Sequence, residues 1–138
     1  MQRLNNNSGQ GLLEFAIVIP LLFMVIFGAL VIGQIFHAKV VLNNAAREGV
    51  RYLTLHPTDN IGGFTGTKAA VLLEATNSGV VIAASDVSVP GGCTVISTIF
   101  CESGFPVQVR VGMTFNLAWE WLFPSTIEIQ GEAQMMIP

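Results

Sequence analysis

Apolar and polar positions along this chain fall into three regimes. From Phe15 to Ala38 run 24 residues without a formal charge, His37 being the only ambiguous one. The wider stretch Ser8 to Gln34 is almost unbroken in its apolar character, with one carboxylate, Glu14, set into its start. A helix rises about 1.5 Å per residue, so such a run can cross a bilayer core of about 30 Å. The second regime, HAKVVLNNAAREGVRYLTL, has no breaker except Gly49 until Pro57 and continues the helix. In it Phe36, Val40, Ala45, Gly49 and Tyr52 or Leu53 recur at spacings compatible with one apolar face. Arg47 and Arg51, four apart, would face solvent or acidic groups.

The third regime has shorter periods. The segment PTDNIGGFTG, from Pro57 to Gly66, reads as a turn-rich linker. Lys68 to Ser78 reads as a short second helix, with Thr67 as its cap and Gly79 as its stop. Its Ala69, Leu72 and Leu73 are expected to pack inward. Val80 to Val89 is rich in β-branched residues and reads as a strand ending at Pro90. Val107, Val109, Val111, Met113 and Phe115 alternate with polar or small residues, the mark of a half-buried strand. Ile127, Ile129, Ala133, Met135 and Ile137 repeat that pattern. Between these two strands lies AWEWLFP, whose Trp119, Trp121, Leu122 and Phe123 either cap a small core or meet a partner or a membrane interface. The fold class is therefore α+β: a long N-terminal hydrophobic helix, a short second helix and a small antiparallel sheet.

Composition narrows the function. A chain of 138 residues allows one compact domain plus the helix. Charged residues make up 11%, against about 25% in ordinary soluble domains. The net charge is -3 and six Lys and Arg are scattered, so no cationic face exists for nucleic acid. No phosphate-cradling glycine loop, nucleophile elbow or H-E-x-x-H occurs, and the acidic residues after the helix form no visible pairs. His37 and His56 are isolated from other ligand types, so neither a metal nor another cofactor is expected. An enzyme is not expected either.

Glu14 is the residue that composition leaves unexplained. A carboxylate near the start of a membrane helix costs less than one at its centre, because it can snorkel and the helix dipole favours an anion there. It is either tolerated at the boundary or kept for a cationic partner. The residues around it resemble a known family. Gly9, four intervening residues, then Glu14-Phe15 and a long apolar helix look like the prepilin-peptidase site of type IV pilins and pseudopilins. The continuation EFAIVIPLL, with LNNAAREGVRY downstream, is similar to the TadE-like pseudopilins of the tight-adherence (Tad, or Flp) pilus machinery.

The resemblance implies a prepilin-type leader at 1–9, with the cut between Gly9 and Gln10. It further implies a long N-terminal helix at 10–56, spanning the membrane at about 15–38, and an extracytoplasmic α+β domain at 57–138. The implied partners are a prepilin peptidase, the inner membrane and other pilin or pseudopilin subunits, with no nucleic acid. After cleavage Gln10 would carry an α-amino group of pKa about 7.7–8.0, a cation able to pair with a neighbour's Glu14 and set assembly register. Pro20 removes a helix hydrogen bond and is expected to kink the helix. Gly28 and Gly33 are not at GxxxG spacing and define no dimer motif. Charge counting does not support the implied orientation, since Arg3 precedes the helix while Lys39, Arg47 and Arg51 follow it.

In an extracytoplasmic domain the sparse pair Cys93 and Cys101 suggests one disulfide. A fully extended 93–101 would separate the two Cα atoms by about 26 Å, so the intervening residues must fold back. The competing reading is an uncleaved single-pass anchor whose outer domain binds a ligand or partner.

Overall fold

The computed structural model describes residues 7–60, 62–90, 104, 106–116 and 126–138. Helix α1 runs Asn7–Leu55 and α2 runs Thr65–Asn77. Strands β1 (Val87–Ser88), β2 (Pro106–Asn116) and β3 (Thr126–Met136) form one antiparallel sheet in the order β1-β2-β3. The α+β architecture expected from the hydrophobic pattern is the one observed. The chain divides into two compact units, Met1–Gln34 and Ile35–Pro138.

In the first unit α1 is apolar all round. Its most apolar window of 18 residues has a mean hydropathy of 3.0, and none of it is buried. The helix runs through Pro20 as one element.

In the second unit the same helix becomes one layer of a core. Ala38, Val41, Leu42, Ala45, Ala46, Val50 and Leu53 are buried, a stripe with the 3.6-residue period. Of the expected face, Ala45, Gly49 and Leu53 are inward, whereas Phe36 and Val40 are exposed. Those two lie off the stripe that Ala38, Leu42 and Ala45 define, so the sheet does not reach them. Val107, Val109 and Val111 of β2 are fully buried against this stripe, as their alternation predicts. β3 contributes Ile129, with Ile137 just beyond its end, and turns Glu128, Gln130, Glu132 and Gln134 outward. β2 and β3 pair over their whole length, from Pro106 opposite Met136 to Asn116 opposite Thr126.

Gly131 permits a close approach between sheet and helix. A Cβ there would lie 2.5 Å from the Leu42 carbonyl carbon and 2.7 Å from the Asn43 nitrogen. Helix backbone cannot retreat from such a clash, so glycine is the residue this crossing requires. Gly49 does the same for α2, since a Cβ would meet Val71 Cγ2 at 2.5 Å.

Helix α2 starts earlier than Lys68 and buries Thr67, Val71 and Ala75 instead of Ala69, Leu72 and Leu73. The reason is a cap supplied from outside the helix. Phe64, the residue before the first turn, has the left-handed backbone (φ 60°) and offers no side-chain bond. Asp59 takes its place: Gly66 N–H and Thr67 N–H donate to its carboxylate at 3.0 and 2.7 Å, and the Thr67 hydroxyl donates at 2.6 Å. Thr67 is thus held inward, and residues four and eight further on follow it into the core. At the other end Gly79 (φ 79°) stops the helix as expected. Val80 N–H reaches Ala75 O and Gly79 N–H reaches Thr76 O, the paired bonds of a Schellman motif.

The β-branched run Val80–Val89 yields only the two-residue β1, pairing Val87 with Val111 and Ser88 with Arg110. Ala84–Asp86 is a single 3-10 turn in which Ala83 N–H donates to the Asp86 carboxylate at 3.0 Å. That local bond competes with the ladder and shortens the strand.

Candidate functional site

The candidate site is the exposed helical segment from Gly9 through Gln34. Gly9 is exposed in the first turns of α1, and a Cβ there would meet nothing within 4 Å. Glu14 and Phe15 are exposed, Phe15 by 63%. Positions 10 and 14 are about one helical turn apart, about 6 Å along the axis. A cut after Gly9 would therefore create an amino group one turn before the only carboxylate of the apolar segment.

Beyond Glu14 the apolar side chains surround the helix. Ile17, Leu21 and Val25 are each about two-thirds exposed, and Val18, Leu22 and Phe23 slightly over half. Phe23 and Phe27 stack along the helix with ring centroids 6.1 Å apart. An isolated water-exposed helix would show a polar face; this length shows none, which is compatible with a single-pass membrane anchor. Gly28 and Gly33 also have open space where a Cβ would stand.

An open groove of about 440 Å³ lies between α1 and α2, lined by Glu48, Tyr52, Gly66, Ala69, Leu73 and Glu74 among others. A second, of about 350 Å³, lies on the outer sheet face between Asp86, Arg110 and Glu128. Among the described residues no cluster of His, Cys, Asp and Glu could hold a metal. Arg51 lies 3.5 Å from Glu48 and Arg110 3.3 Å from Glu132, both pairs well exposed. His56 stacks on Tyr52 at 4.3 Å.

Among the described residues Asp59 is an acid whose pKa is shifted. Burial pushes its carboxyl up, but hydrogen bonds from the Thr67 hydroxyl, Thr67 N–H and Gly66 N–H, with His56 nearby, hold it below its ordinary value. Its role is to anchor α2.

The sequence reading missed Asp59 and Gly131. A glycine inside an alternating strand was the available signal for Gly131; nothing local marks a cap that acts from outside its helix. Cys93, Cys101, Trp119 and Trp121 lie outside the described residues.

Comparison with known proteins bears on the helix alone. A family model described as TadE-like protein matches residues 9–51. The resemblance carried by Gly9, Glu14-Phe15 and LNNAAREG is thereby borne out over that segment. The match ends inside α1 and does not reach the sheet. No curated protein and no solved structure matches the chain.

Proposed function

We propose, from the TadE-like match over residues 9–51, that this chain is a pilin-like structural or assembly subunit, a pseudopilin or minor pilin, of a tight-adherence type IV pilus. The observation that carries the reading is the first part of α1, apolar on every side and buried nowhere within the chain. Such a surface suits two environments in turn, the bilayer before assembly and a bundle of like helices after it.

The reading assigns each site residue a task. Prepilin peptidase cuts between Gly9 and Gln10, with Glu14 and Phe15 as the remainder of the recognition site. The cut falls in the first turns of α1, where terminal N–H groups lack intrahelical partners and the helix opens most easily. The new ammonium at Gln10 pairs with Glu14 of a neighbouring subunit and sets the axial stagger of the bundle. Each charge lowers the other's burial cost there. Pro20 loosens the helix by leaving one carbonyl without its N–H. The chain is held in the inner membrane by one span, with the sheet domain outside, and Cys93 and Cys101 form a disulfide in that compartment. No catalytic role is assigned.

The mature N-terminus tests the processing step. In cells with active prepilin peptidase, loss of nine residues leaving Gln10 is expected; an intact Met1 favours a simple anchor instead. Glu14→Ala should keep membrane insertion yet impair incorporation into filaments, and normal assembly by that variant would remove the pairing. Reduction should add two hydrogens to the mass of the purified chain if the cysteines are bridged.

A further inference from the structure

Gly112 stands inside β2, and among the described residues the fold gives no reason for a glycine there. A glycine within a strand weakens it, and is explained by a left-handed backbone, a bulge, or the close approach of a backbone or a ligand. Gly112 is not one of the glycines with positive φ, which are Gly63, Gly79 and Gly104. The ladder to β3 runs unbroken through it, with Val111 opposite Gly131, Gly112 opposite Gln130 and Met113 opposite Ile129, so there is no bulge. A Cβ at Gly112 would meet one atom within 4 Å, the Asp86 carbonyl oxygen at 3.9 Å, an ordinary contact. At Gly131, by contrast, a Cβ would meet helix backbone at 2.5 Å. One cause is left for Gly112, which is room for a ligand.

That room is the open hollow of about 350 Å³ on the outer face of the sheet. Val107, Val109 and Val111 are buried, so Arg110, Gly112 and Thr114 take the other face. Gly112 is the floor. Arg110 and Thr114 stand about 7 Å from it along β2, one on each side, and Gln130 about 5 Å across the ladder. Ser88, opposite Arg110, and Asp86 close the side towards β1, and Glu128, opposite Thr114, closes the far corner. The volume is near the low end of the roughly 300–1,000 Å³ of small-molecule sites.

The walls mix donors with acceptors. Arg110 Nε donates to Glu132 at 3.3 Å, and Gln130 Nε2 donates to Glu128 Oε1 at 2.6 Å. The Asp86 carboxylate accepts from Ala83 N–H and from the Ser85 hydroxyl. The Ser88 and Thr114 hydroxyls make no hydrogen bond among the described residues. A cation in the hollow would face Arg110, and an anion would face Asp86 and Glu128. A hydroxyl both donates and accepts, so a neutral polyhydroxylated molecule meets every wall with the partner it needs. We propose that the hollow over Gly112 binds a sugar of monosaccharide or disaccharide size, through Ser88, Arg110, Thr114, Glu128 and Gln130. The site lies wholly within the sheet unit and does not depend on the pilus reading. No aromatic ring lines it among the described residues, so hydrogen bonds alone hold the sugar and the affinity is weak, on the order of millimolar.

The test titrates the isotopically labelled full chain, in phosphocholine detergent micelles, with the methyl glycosides of glucose, galactose, mannose and N-acetylglucosamine. Saturable shifts of the Ser88, Gly112 and Thr114 amides with at least one glycoside are expected, while Val71 and Ala75 in α2 stay unmoved. Gly112→Val fills the floor and should abolish those shifts. Thr114→Val should weaken binding about fivefold, the worth of one hydrogen bond, and reads the same site if the first variant does not fold. Gly112→Ala should unfold at the same or a higher denaturant midpoint, because the fold does not need the glycine. A lower midpoint for Gly112→Ala overturns the proposal at its premise. Absence of saturable shifts with all of these glycosides overturns it too, as does undiminished binding by Thr114→Val.

Discussion

The two lengths of α1, before and after Gln34, are one continuous helix built for different surroundings. The first has Leu21 and Leu22 at 66% and 55% exposure; the second has Leu42 and Leu53 at 0%. Leucine is the same residue in both, and what changes is the residue set around it. After Gln34 the helix alternates large with small, as in Leu42, Ala45, Ala46 and Gly49, so that strands and α2 can approach. Before Gln34 large apolar side chains surround the helix, and the small residues among them, such as Gly28 and Gly33, have open space instead of a strand or helix against them. Apolar content says that a helix will leave water; only its small residues say what it will pack against.

This contrast can be broken most forcefully by truncation. Leu42→Ala or Leu53→Ala should destabilise the sheet unit by about 2–5 kcal/mol through lost burial and a cavity. Leu21→Ala should leave the denaturant midpoint of that unit unchanged, read by near-ultraviolet circular dichroism in detergent. Equal effects at both places would erase the distinction between the two lengths.

The next largest effect concerns closeness. Gly131→Ala pushes a methyl into the backbone of Leu42 and Asn43 and should cost about 1–3 kcal/mol. Gly28→Ala, with open space around it, should cost nothing measurable by the same unfolding curve.

Asp59→Ala follows, at about 1–2 kcal/mol, from the lost cap of α2. The pH dependence gives its sign. The folded pKa of Asp59 is lowered, so its contribution is complete above the unfolded value of about 3.9 and disappears as pH falls through the folded value. The stability gap between wild type and Asp59→Asn should therefore hold near neutrality and close in acid. Urea midpoints measured across that range check it.

The smallest effect belongs to the exposed pair Arg110 and Glu132. A double-mutant cycle to Ala should give about 0.2–1 kcal/mol, falling further as salt is added.

The elements were legible in the chain where periodicity acts over many residues. The apolar run announced the first length of α1. Strict alternation announced β2, whose expected inward residues Val107, Val109 and Val111 are all fully buried. The reading weakened where a distant group decides the local structure. Val80–Val89 has strand composition, yet Asp86 bonds back to Ala83 and leaves two paired residues. In α2 the leucines suggested one face and Asp59 selected another, because a buried Thr67 must keep its hydroxyl satisfied.

By itself the sequence determined the long apolar helix, the Gly9–Glu14 spacing, the alternating strands and the Gly79 stop, since each depends on residues within one or two turns. Only the tertiary structure decided which stripe of α1 is core, how α2 is rotated and why Gly131 is glycine. Those outcomes depend on whether two backbones can touch and whether a buried donor finds its acceptor. Both conditions join residues far apart in the chain, so no local pattern contains them.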